Sequence, residues 1–308
     1  MMQRINSNFH HVTSAFNSSN DKLILLSTYF TSKNDPMRSF KQADDNFEYF
    51  RNWYESVEEL GIWGVIFCDN ISDEFKGKYE TERIFFIKCK LGPHSLNDER
   101  FFIFHEFVQH LKSDAYVVST DINDVIVNKN PLELLEKHPE KLLVGRGIRK
   151  TWKDGIWALQ ALKHFNRKFK RRLPASFFNY PMFTPGTIGG KKDSVETIYQ
   201  QMISIFAELG DDGNYDMQVF NYIMKEYYYP LKSVWDRIIP FRLANWYYFM
   251  VYRISRKLER EYKAHKYDVV TSEESICTND LILAGFPFVS VVGKYEKKGE
   301  SKAFLIHK

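Results

Sequence analysis

Two carboxylates follow closely on a segment that has the composition of a buried strand. Residues 115–118 are mostly apolar and β-branched, and Asp121 and Asp124 come shortly after them. The carboxyl ends of strands are where open α/β sheets bind their ligands. Adjacent carboxylates repel each other unless a cation separates them, and Mg²⁺ or Mn²⁺ accepts such oxygen ligands. The spacing therefore indicates a metal site, while a turn in which Asp121 and Asn123 cap backbone groups is the structural alternative.

Strands and helices alternate along the chain and would position these carboxylates. Apolar runs predict strands at 22–30, 64–69, 83–89, 141–146 and 288–293. Apolar residues at helical spacing predict helices over 45–60, from 97 onward, and over 195–209 before Gly210. Such alternation favours an α/β fold with a largely parallel sheet.

The composition narrows the class of protein. Of the 308 residues, 44% are hydrophobic and 27% are charged, and no apolar run is long enough to cross a bilayer, so we expect no membrane span. Residues 1–20 are predicted to be a polar extension without signal-peptide character, and residues 21–308 a single domain. Three scattered cysteines favour the reducing cytoplasm over a disulfide framework. A net charge of +4 does not by itself indicate a nucleic-acid binder.

The segment around the carboxylates resembles a known family. Residues 120–125, T-D-I-N-D-V, are similar to the D-x-x-D metal motif of GT-A glycosyltransferases, in particular the glycosyltransferase domain of collagen lysyl hydroxylases and collagen galactosyltransferases and their bacterial and viral relatives. Three later segments follow in the order of that family: 185–190 (P-G-T-I-G-G), 216–221 (D-M-Q-V-F-N) and 306–308 (I-H-K). The resemblance implies a GT-A-like, Rossmann-related fold with a mostly parallel sheet flanked by helices and a helical insertion near 231–266.

The resemblance also implies a metal centre. Asp121 and Asp124 would be joined by His307 as the third ligand of Mn²⁺ or Mg²⁺, and a neutral imidazole suits Mn²⁺ better. Lys308 would meet the donor diphosphate as a point charge. Without the family, a histidine so near the end of the sequence would be interpreted as part of a tail.

Residues near the ends of two strands are predicted to hold the donor nucleotide. In GT-A enzymes the loop after the first strand lies against the nucleotide, which makes Thr28 and Tyr29 candidates, Tyr29 by stacking on the base. A tyrosine in the core is the other interpretation of Tyr29. Thr120, which begins the D-x-x-D segment, is assigned to the donor site as well.

Further candidates surround the sugar. Arg100 is predicted in the first turn of a helix, where its charge opposes the helix dipole, so it either contacts a phosphate or acidic partner or is solvated. Gly189 and Gly190 would let the backbone approach the sugar, as glycines in a tight turn also would. By resemblance, Asp216 and Gln218 are catalytic candidates that face the sugar or the acceptor hydroxyl, although Asp216 could simply be a helix N-cap.

The resemblance implies a cytoplasmic, metal-dependent glycosyltransferase that uses a nucleotide-diphosphate sugar, UDP above all, to glycosylate a hydroxyl acceptor such as a glycan with retention. In one alternative, the basic run 163–172 with its phenylalanines binds nucleic acid, and the acceptor is a modified DNA base. In another, the chain is a non-catalytic nucleotide- or sugar-binding protein. Basic residues on one face of a predicted helix at 251–262 could recognise the acceptor or form a solvated surface.

Overall fold

The computed structural model describes residues 3–6, 9–36, 40–153, 155–171, 173–230, 239–259, 276–277, 282–284, 287–290 and 301–307. The described helices are α1 Phe9–Ser18, α2 Arg51–Glu59, α3 Asp73–Tyr79, α4 Leu96–Val108, α5 Leu132–Lys137, α6 Ile156–Lys168, α7 Lys192–Leu209, α8 Asp216–Ile223 and α9 Phe241–Glu259. The described strands are β1 Leu23–Tyr29, β2 Trp63–Cys68, β3 Ile84–Lys88, β4 Tyr116–Thr120, β5 Val125–Val127, β6 Leu142–Thr151, β7 Pro181–Lys191, β8 Ile276–Cys277, β9 Ile282–Ala284, β10 Val289–Ser290 and β11 Leu305–His307.

The main sheet has eight strands in the order β3-β2-β1-β4-β7-β6-β9-β8. Strands β1, β2, β3 and β4 are parallel, and β6 is parallel to β9. Strand β7 runs antiparallel to both β4 and β6, and β8 runs antiparallel to β9. Six strands therefore share one direction, which confirms the predicted α/β class with a mostly parallel sheet.

Helices cover both faces of this sheet. One hydrophobic cluster packs the apolar side chains of α1, α4, α7 and α8 against the sheet, and a second packs those of α2, α3 and α5 against its other side. The strands β1, β2 and β4 are buried almost throughout, as their unbroken apolar runs predict.

A small second sheet explains how distant segments meet at the site. Its order is β10-β11-β5, with β11 parallel to β10 and antiparallel to β5. Strand β5 begins directly after Asp124, and His307 of β11 pairs with Val125. The last described residues of the chain are thereby held beside the D-x-x-D segment.

The N-terminal segment belongs to the domain, which corrects the predicted polar extension. Phe9, Val12 and Phe16 recur at helical spacing on α1 and are buried in the core. Arg4 accepts a backbone hydrogen bond from Lys90 at 2.7 Å. Polar residues dominate the sequence here, but three apolar residues on one face are enough to dock the helix.

The predicted insertion is helical in its described part. Helix α9 begins at Phe241, immediately after Pro240, and thus ten residues earlier than the predicted start at 251. Residues 231–238 and 260–266 of the insertion lie outside the described residues, as does the end of the strand predicted at 288–293. Among the described helices, none combines the length and the apolar character that crossing a bilayer requires.

Candidate functional site

A cleft of about 370 Å³ opens where β1 and β4 end. Residues from widely separated parts of the chain line it, including Thr28, Tyr49, Arg100, Asp121, Asp124, Trp157, Gly186 and Asp216. The cleft thus lies at the carboxyl edge of parallel strands, which is the position that open α/β sheets use for ligands.

Asp121, Asp124 and His307 meet at this cleft. His307 Nε2 lies 3.4 Å from Asp121 Oδ2 and 3.7 Å from Asp124 Oδ1. One potential ligand atom from each of the three residues lies within 4.8 Å of the other two. Both carboxylates are about 30% exposed, so they face the cleft, whereas His307 is largely buried. Two oxygens and one imidazole nitrogen are a ligand set that suits a divalent cation such as Mn²⁺.

Gly186 allows these side chains to approach one another. Asp121 N–H donates to the Gly186 carbonyl at 2.8 Å, so strand β7 lies directly against the first carboxylate. A Cβ atom at Gly186 would overlap Asp121 Oδ2 and would lie 2.9 Å from His307 Cε1. Among the glycines of the described residues, Gly186 is the one whose Cβ position falls against the candidate metal ligands.

Gly189 and Gly190 lie inside the main sheet, which corrects their predicted role as a wall of the sugar pocket. A Cβ atom on Gly189 would contact Phe288 and Val118, and one on Gly190 would contact Leu142. These two glycines sit in the regular part of β7, paired with β4. They serve close packing within the sheet.

Arg100 joins two carboxylates of the site. It is the fifth residue of α4, at the start of the second turn, because the helix begins one residue earlier than predicted, and only 7% of it is exposed. Its guanidinium forms ion pairs with Asp121 Oδ1 and, at 3.0 Å, with Asp216 Oδ2. Of the two interpretations of Arg100, the structure supports an acidic partner over a solvated side chain.

The charges of the site shift the proton affinities of its members. Burial raises the pKa of Asp121, but the positive charge of Arg100 and the hydrogen bond from His307 outweigh it and hold this pKa well below its ordinary value. Burial lowers the pKa of His307, but its hydrogen bond to Asp121 and the charges of Asp121 and Asp124 raise it overall. Asp121 is therefore ionised at neutral pH, as a metal ligand must be.

Asp216 lines the cleft, whereas Gln218 is buried and does not line it. Asp216 is the first residue of α8, and its Oδ1 accepts from Met217 N–H at 2.8 Å; the N-cap position belongs to Tyr215. Burial raises the pKa of Asp216 despite its pairing with Arg100. Gln218 is only 3% exposed, and Met217 is the neighbour that lines the cleft. Asp216 therefore lines the cleft, whereas the burial of Gln218 corrects its predicted contact with the sugar or the acceptor.

Of the residues predicted to hold the donor nucleotide, some line the cleft and others are buried in the core. Thr28 lines the cleft as expected, but Tyr29 is fully buried and its hydroxyl donates to the Ala43 carbonyl, which excludes stacking on a base. Thr120 is also buried, and its Oγ1 accepts from Trp53 Nε1 at 2.7 Å. Lys308 lies outside the described residues.

Tyr49 is an aromatic residue of the cleft that the sequence did not single out. It is partly exposed and lines the cleft, and its ring centroid lies 5.5 Å from that of Tyr29. Tyr49 belongs to a short 3-10 helix, Phe47–Tyr49, in the connection after β1. The sequence places Tyr49 within the helix predicted at 45–60 and gives it no separate role.

Asp98 is a second residue that the sequence did not single out. It is fully buried on α4, and Tyr215 N–H donates to both of its oxygens, at 3.1 and 3.3 Å. Helix α4 therefore contacts the start of α8 at two points. Asp98 accepts from the Tyr215 backbone, and Arg100 donates to the Asp216 carboxylate. Only the tertiary contact reveals this function, because Asp98 looks like an ordinary acidic residue in the first turn of its own helix.

Asp98 should make stability depend on pH. Burial, with the negative charge of Asp216 adding to it, raises the pKa of Asp98 from 3.8 to about 8. Between these values the native state binds a proton that the unfolded chain has released, so this group lowers the free energy of unfolding as the pH rises. Asparagine resembles the neutral carboxyl group. The free energy of unfolding of Asp98→Asn, relative to that of the wild type, should therefore rise by about 1 kcal/mol per pH unit between about pH 5 and pH 7.

Denaturant unfolding curves at several pH values measure this difference. Asp211→Asn, in the exposed loop before α8, is the matched control, for which we expect no comparable trend. A constant difference between Asp98→Asn and the wild type across this range would show that Asp98 is ionised in the native state.

The basic run 163–172 is the outer face of α6 and the turn after it. Its phenylalanines, Phe165 and Phe169, are buried in the core. This corrects the expectation that they lie among the lysines and arginines on a binding surface. Lys168 and Arg171 form ion pairs with carboxylates of the loop before α8 and of α7. Residue 172, the last of the basic run, lies outside the described part of the chain. The described basic residues of the run form a solvated helix face, and this arrangement does not support the predicted binding of nucleic acid.

Comparisons with known proteins identify similar structures only. No protein-family model matches the sequence, and no curated protein does. Among solved structures, the apo form of glycosyltransferase GlyE in Streptococcus pneumoniae TIGR4 is similar with 16% identity and a TM-score of 0.42, over 67% of this chain. This chain spans 44% of GlyE. Galactosyltransferase LgtC, in complex with donor and acceptor sugar analogs, is similar with 15% identity and a TM-score of 0.39, over 65% of this chain and 69% of its own. Similarities at this level carry no information about the reaction of this chain.

Proposed function

We propose that the protein is a metal-dependent glycosyltransferase that moves a sugar from a nucleotide-diphosphate donor, a UDP-sugar, to a hydroxyl acceptor with retention of configuration. The observation that carries this proposal is that His307 meets Asp121 and Asp124, and that these two carboxylates line one cleft together with Asp216. A metal site alone would suit many proteins. A metal site with a buried carboxylate beside it, at the carboxyl edge of a parallel sheet, suits the transfer of a group from a diphosphate.

The residues present fit a divalent cation. Asp121 and Asp124 offer oxygen atoms and His307 offers Nε2, which together favour Mn²⁺ over Mg²⁺. The missing side chain of Gly186 leaves the room that this ligand set needs. When bound, the ion would act as a Lewis acid that neutralises the charge developing on the departing diphosphate.

The protein's own residues would orient the two substrates. Thr28 and Tyr49 line the part of the cleft next to β1, where the nucleotide base could lie against the tyrosine ring. Arg100 keeps Asp121 ionised and holds the Asp216 carboxylate in place. Asp216 would accept a hydrogen bond from a sugar or acceptor hydroxyl, and its fixed position limits which hydroxyl can reach the anomeric carbon.

Asp124→Asn tests the metal site directly. An amide oxygen carries no charge, so we expect Mn²⁺ affinity to fall by about 100-fold or more, and Mn²⁺-dependent hydrolysis of the donor to fall with it. The donor is chosen from a panel of nucleotide sugars as the one that most raises the melting temperature when Mn²⁺ is present. Calorimetric titration and release of the nucleotide diphosphate are the two measurements.

The exposed carboxylate Asp193 offers a matched control, because Asp193→Asn removes the same charge from the first turn of α7. Unchanged Mn²⁺ affinity in Asp124→Asn would remove this residue from the metal site. Mn²⁺-dependent binding of a nucleotide sugar without hydrolysis or transfer in the wild type would instead support the non-catalytic binding protein.

A further inference from the structure

Helix α9 carries a stripe of large apolar side chains on its outer surface. Six residues spaced three, four, seven, eight and eleven positions from the first are each 38–62% exposed: Leu243, Trp246, Tyr247, Met250, Val251 and Ile254. This spacing puts them on one face of the helix. An exposed apolar surface of this kind on a soluble domain marks an interaction site.

The opposite face of α9 attaches the helix to the domain. Phe241 and Ala244 are buried in the core, and Asn245 Nδ2 donates to the Leu159 carbonyl of α6 at 3.3 Å. The ring of Phe178 stacks on that of Phe241 with centroids 4.8 Å apart. These contacts fix the orientation of the outward stripe. The fold packs the opposite face of α9 and leaves the stripe exposed.

Basic residues accompany the stripe. Arg242 and Arg253 are exposed on α9, and the same helix contains Arg256 and Lys257 against one acidic residue, Glu259. On a helical wheel, Arg242 and Arg253 fall beside the apolar stripe on one flank. An apolar face with Trp and Tyr, bordered by arginines, is the pattern of a helix that lies in the interface of an anionic membrane.

We propose that α9 docks the protein onto a membrane surface that contains anionic lipids, with the apolar stripe in the acyl boundary and the arginines at the headgroups. The helix lies on the bilayer and does not cross it. Charge complementarity selects this occupant, because a second copy of the chain would bring the same arginines together. This inference is independent of the proposed function.

The docked orientation has a consequence for the cleft. Helix α9 packs on α6, and Trp157 of α6 lines the cleft and is 40% exposed. A protein docked through α9 would hold this side of the cleft close to the membrane surface. If the proposed glycosyl transfer holds, acceptors carried by lipids would be favoured over the same acceptors free in solution.

Flotation with lipid vesicles tests the docking. We expect the wild type to float with vesicles that contain about one third phosphatidylglycerol, to bind much less to pure phosphatidylcholine, and to be released by salt. Trp246→Ser combined with Ile254→Ser should weaken binding by about tenfold or more, because two anchoring side chains are lost. Arg242→Glu combined with Arg253→Glu should abolish the preference for anionic vesicles.

The controls separate docking from adhesion and from catalysis. Tyr227→Ser removes an equally exposed aromatic ring outside α9 and should leave flotation unchanged. All these side chains are exposed, so melting temperatures should stay close to that of the wild type. Equal flotation of the Trp246→Ser/Ile254→Ser variant and the wild type would overturn the proposal. A wild type that does not bind vesicles but forms a dimer that this variant disrupts would overturn it as well.

Hydrolysis of the donor separates this proposal from the proposed function. Without vesicles, the wild type and all these variants should hydrolyse the donor equally. Absence of hydrolysis in the wild type would count against the proposed function alone.

Discussion

Gly186→Ala should strongly weaken binding of a divalent cation while leaving the protein folded. The new methyl group would overlap Asp121 Oδ2 and would lie 2.9 Å from His307 Cε1, so two of the three candidate ligands would have to move. Strand pairing limits how far the backbone can yield, because Asp121 N–H is bonded to the Gly186 carbonyl and β7 pairs with β4 from Thr187, the next residue, to Lys191. Loss of a residue that only orients a metal ligand already costs about 10–100-fold in affinity, and here two ligands themselves are displaced, so we expect Mn²⁺ affinity and donor hydrolysis each to fall by about 100-fold or more.

The matched control for this substitution is Gly77→Ala. Gly77 lies within α3, and a Cβ atom there would meet nothing within 4 Å, so the same methyl group should leave Mn²⁺ binding unchanged. Circular dichroism and melting temperature report the fold of both variants, and calorimetric titration reports the metal. Wild-type Mn²⁺ affinity in Gly186→Ala would show that a cation, if bound at all, sits elsewhere.

Arg100→Met should be the most destabilising single substitution among the site residues. Methionine keeps much of the length of the side chain but leaves Asp121 and Asp216 without the cation that joins them. Removing one partner of a buried ion pair costs about 3–5 kcal/mol, because the remaining charge stays buried without compensation. Arg83→Met is the matched control: Arg83 pairs with Asp21 at 2.9 Å, but both side chains are more than 40% exposed, and such pairs contribute about 0–1 kcal/mol.

The pH dependence of this loss identifies its cause. Arg100 holds the pKa of Asp121 below its ordinary value against the effect of burial, so its stabilisation is present at neutral pH and is lost as the pH falls through the native pKa. The difference in free energy of unfolding between Arg100→Met and the wild type should therefore shrink in acid. Adding Asp216→Asn to Arg100→Met should recover part of the loss at neutral pH, since one uncompensated charge is removed. A loss that is independent of pH and of Asp216 would mean that Arg100 acts through packing alone.

Both substitutions test how strand β7 and helix α4 build the cleft. Strand β7 brings Gly186 against the carboxylate that follows β4, and α4 brings Arg100 and Asp98 against the start of α8. The second sheet adds His307 by pairing β11 with β5. Three separate long-range contacts thus place the side chains that the candidate chemistry needs.

Local sequence patterns were sufficient for the elements that frame this cleft. The apolar run before Asp121 forms β4, and the helix predicted at 195–209 is α7, which Gly210 ends with a φ of +81°. Strand alternation, helical spacing and helix-ending glycines are properties of neighbouring residues, so a sequence states them directly. The position of Asp121 and Asp124 after a buried strand follows from the same patterns.

The tertiary structure alone decided which side chains face the cleft. Tyr29 and Thr120 end the strands that border it, yet both point into the core, and Tyr49 lies in the cleft instead. The sequence offered several glycines in 185–190, and only the register of β7 against β4 shows that Gly186 is the one beside the carboxylates. Asp98 owes its role to a hydrogen bond from Tyr215, more than a hundred positions away. The direction in which a side chain points, and the residue that it contacts, depend on strand register and helix packing. These are set by the burial of the whole core and cannot be read from local spacing.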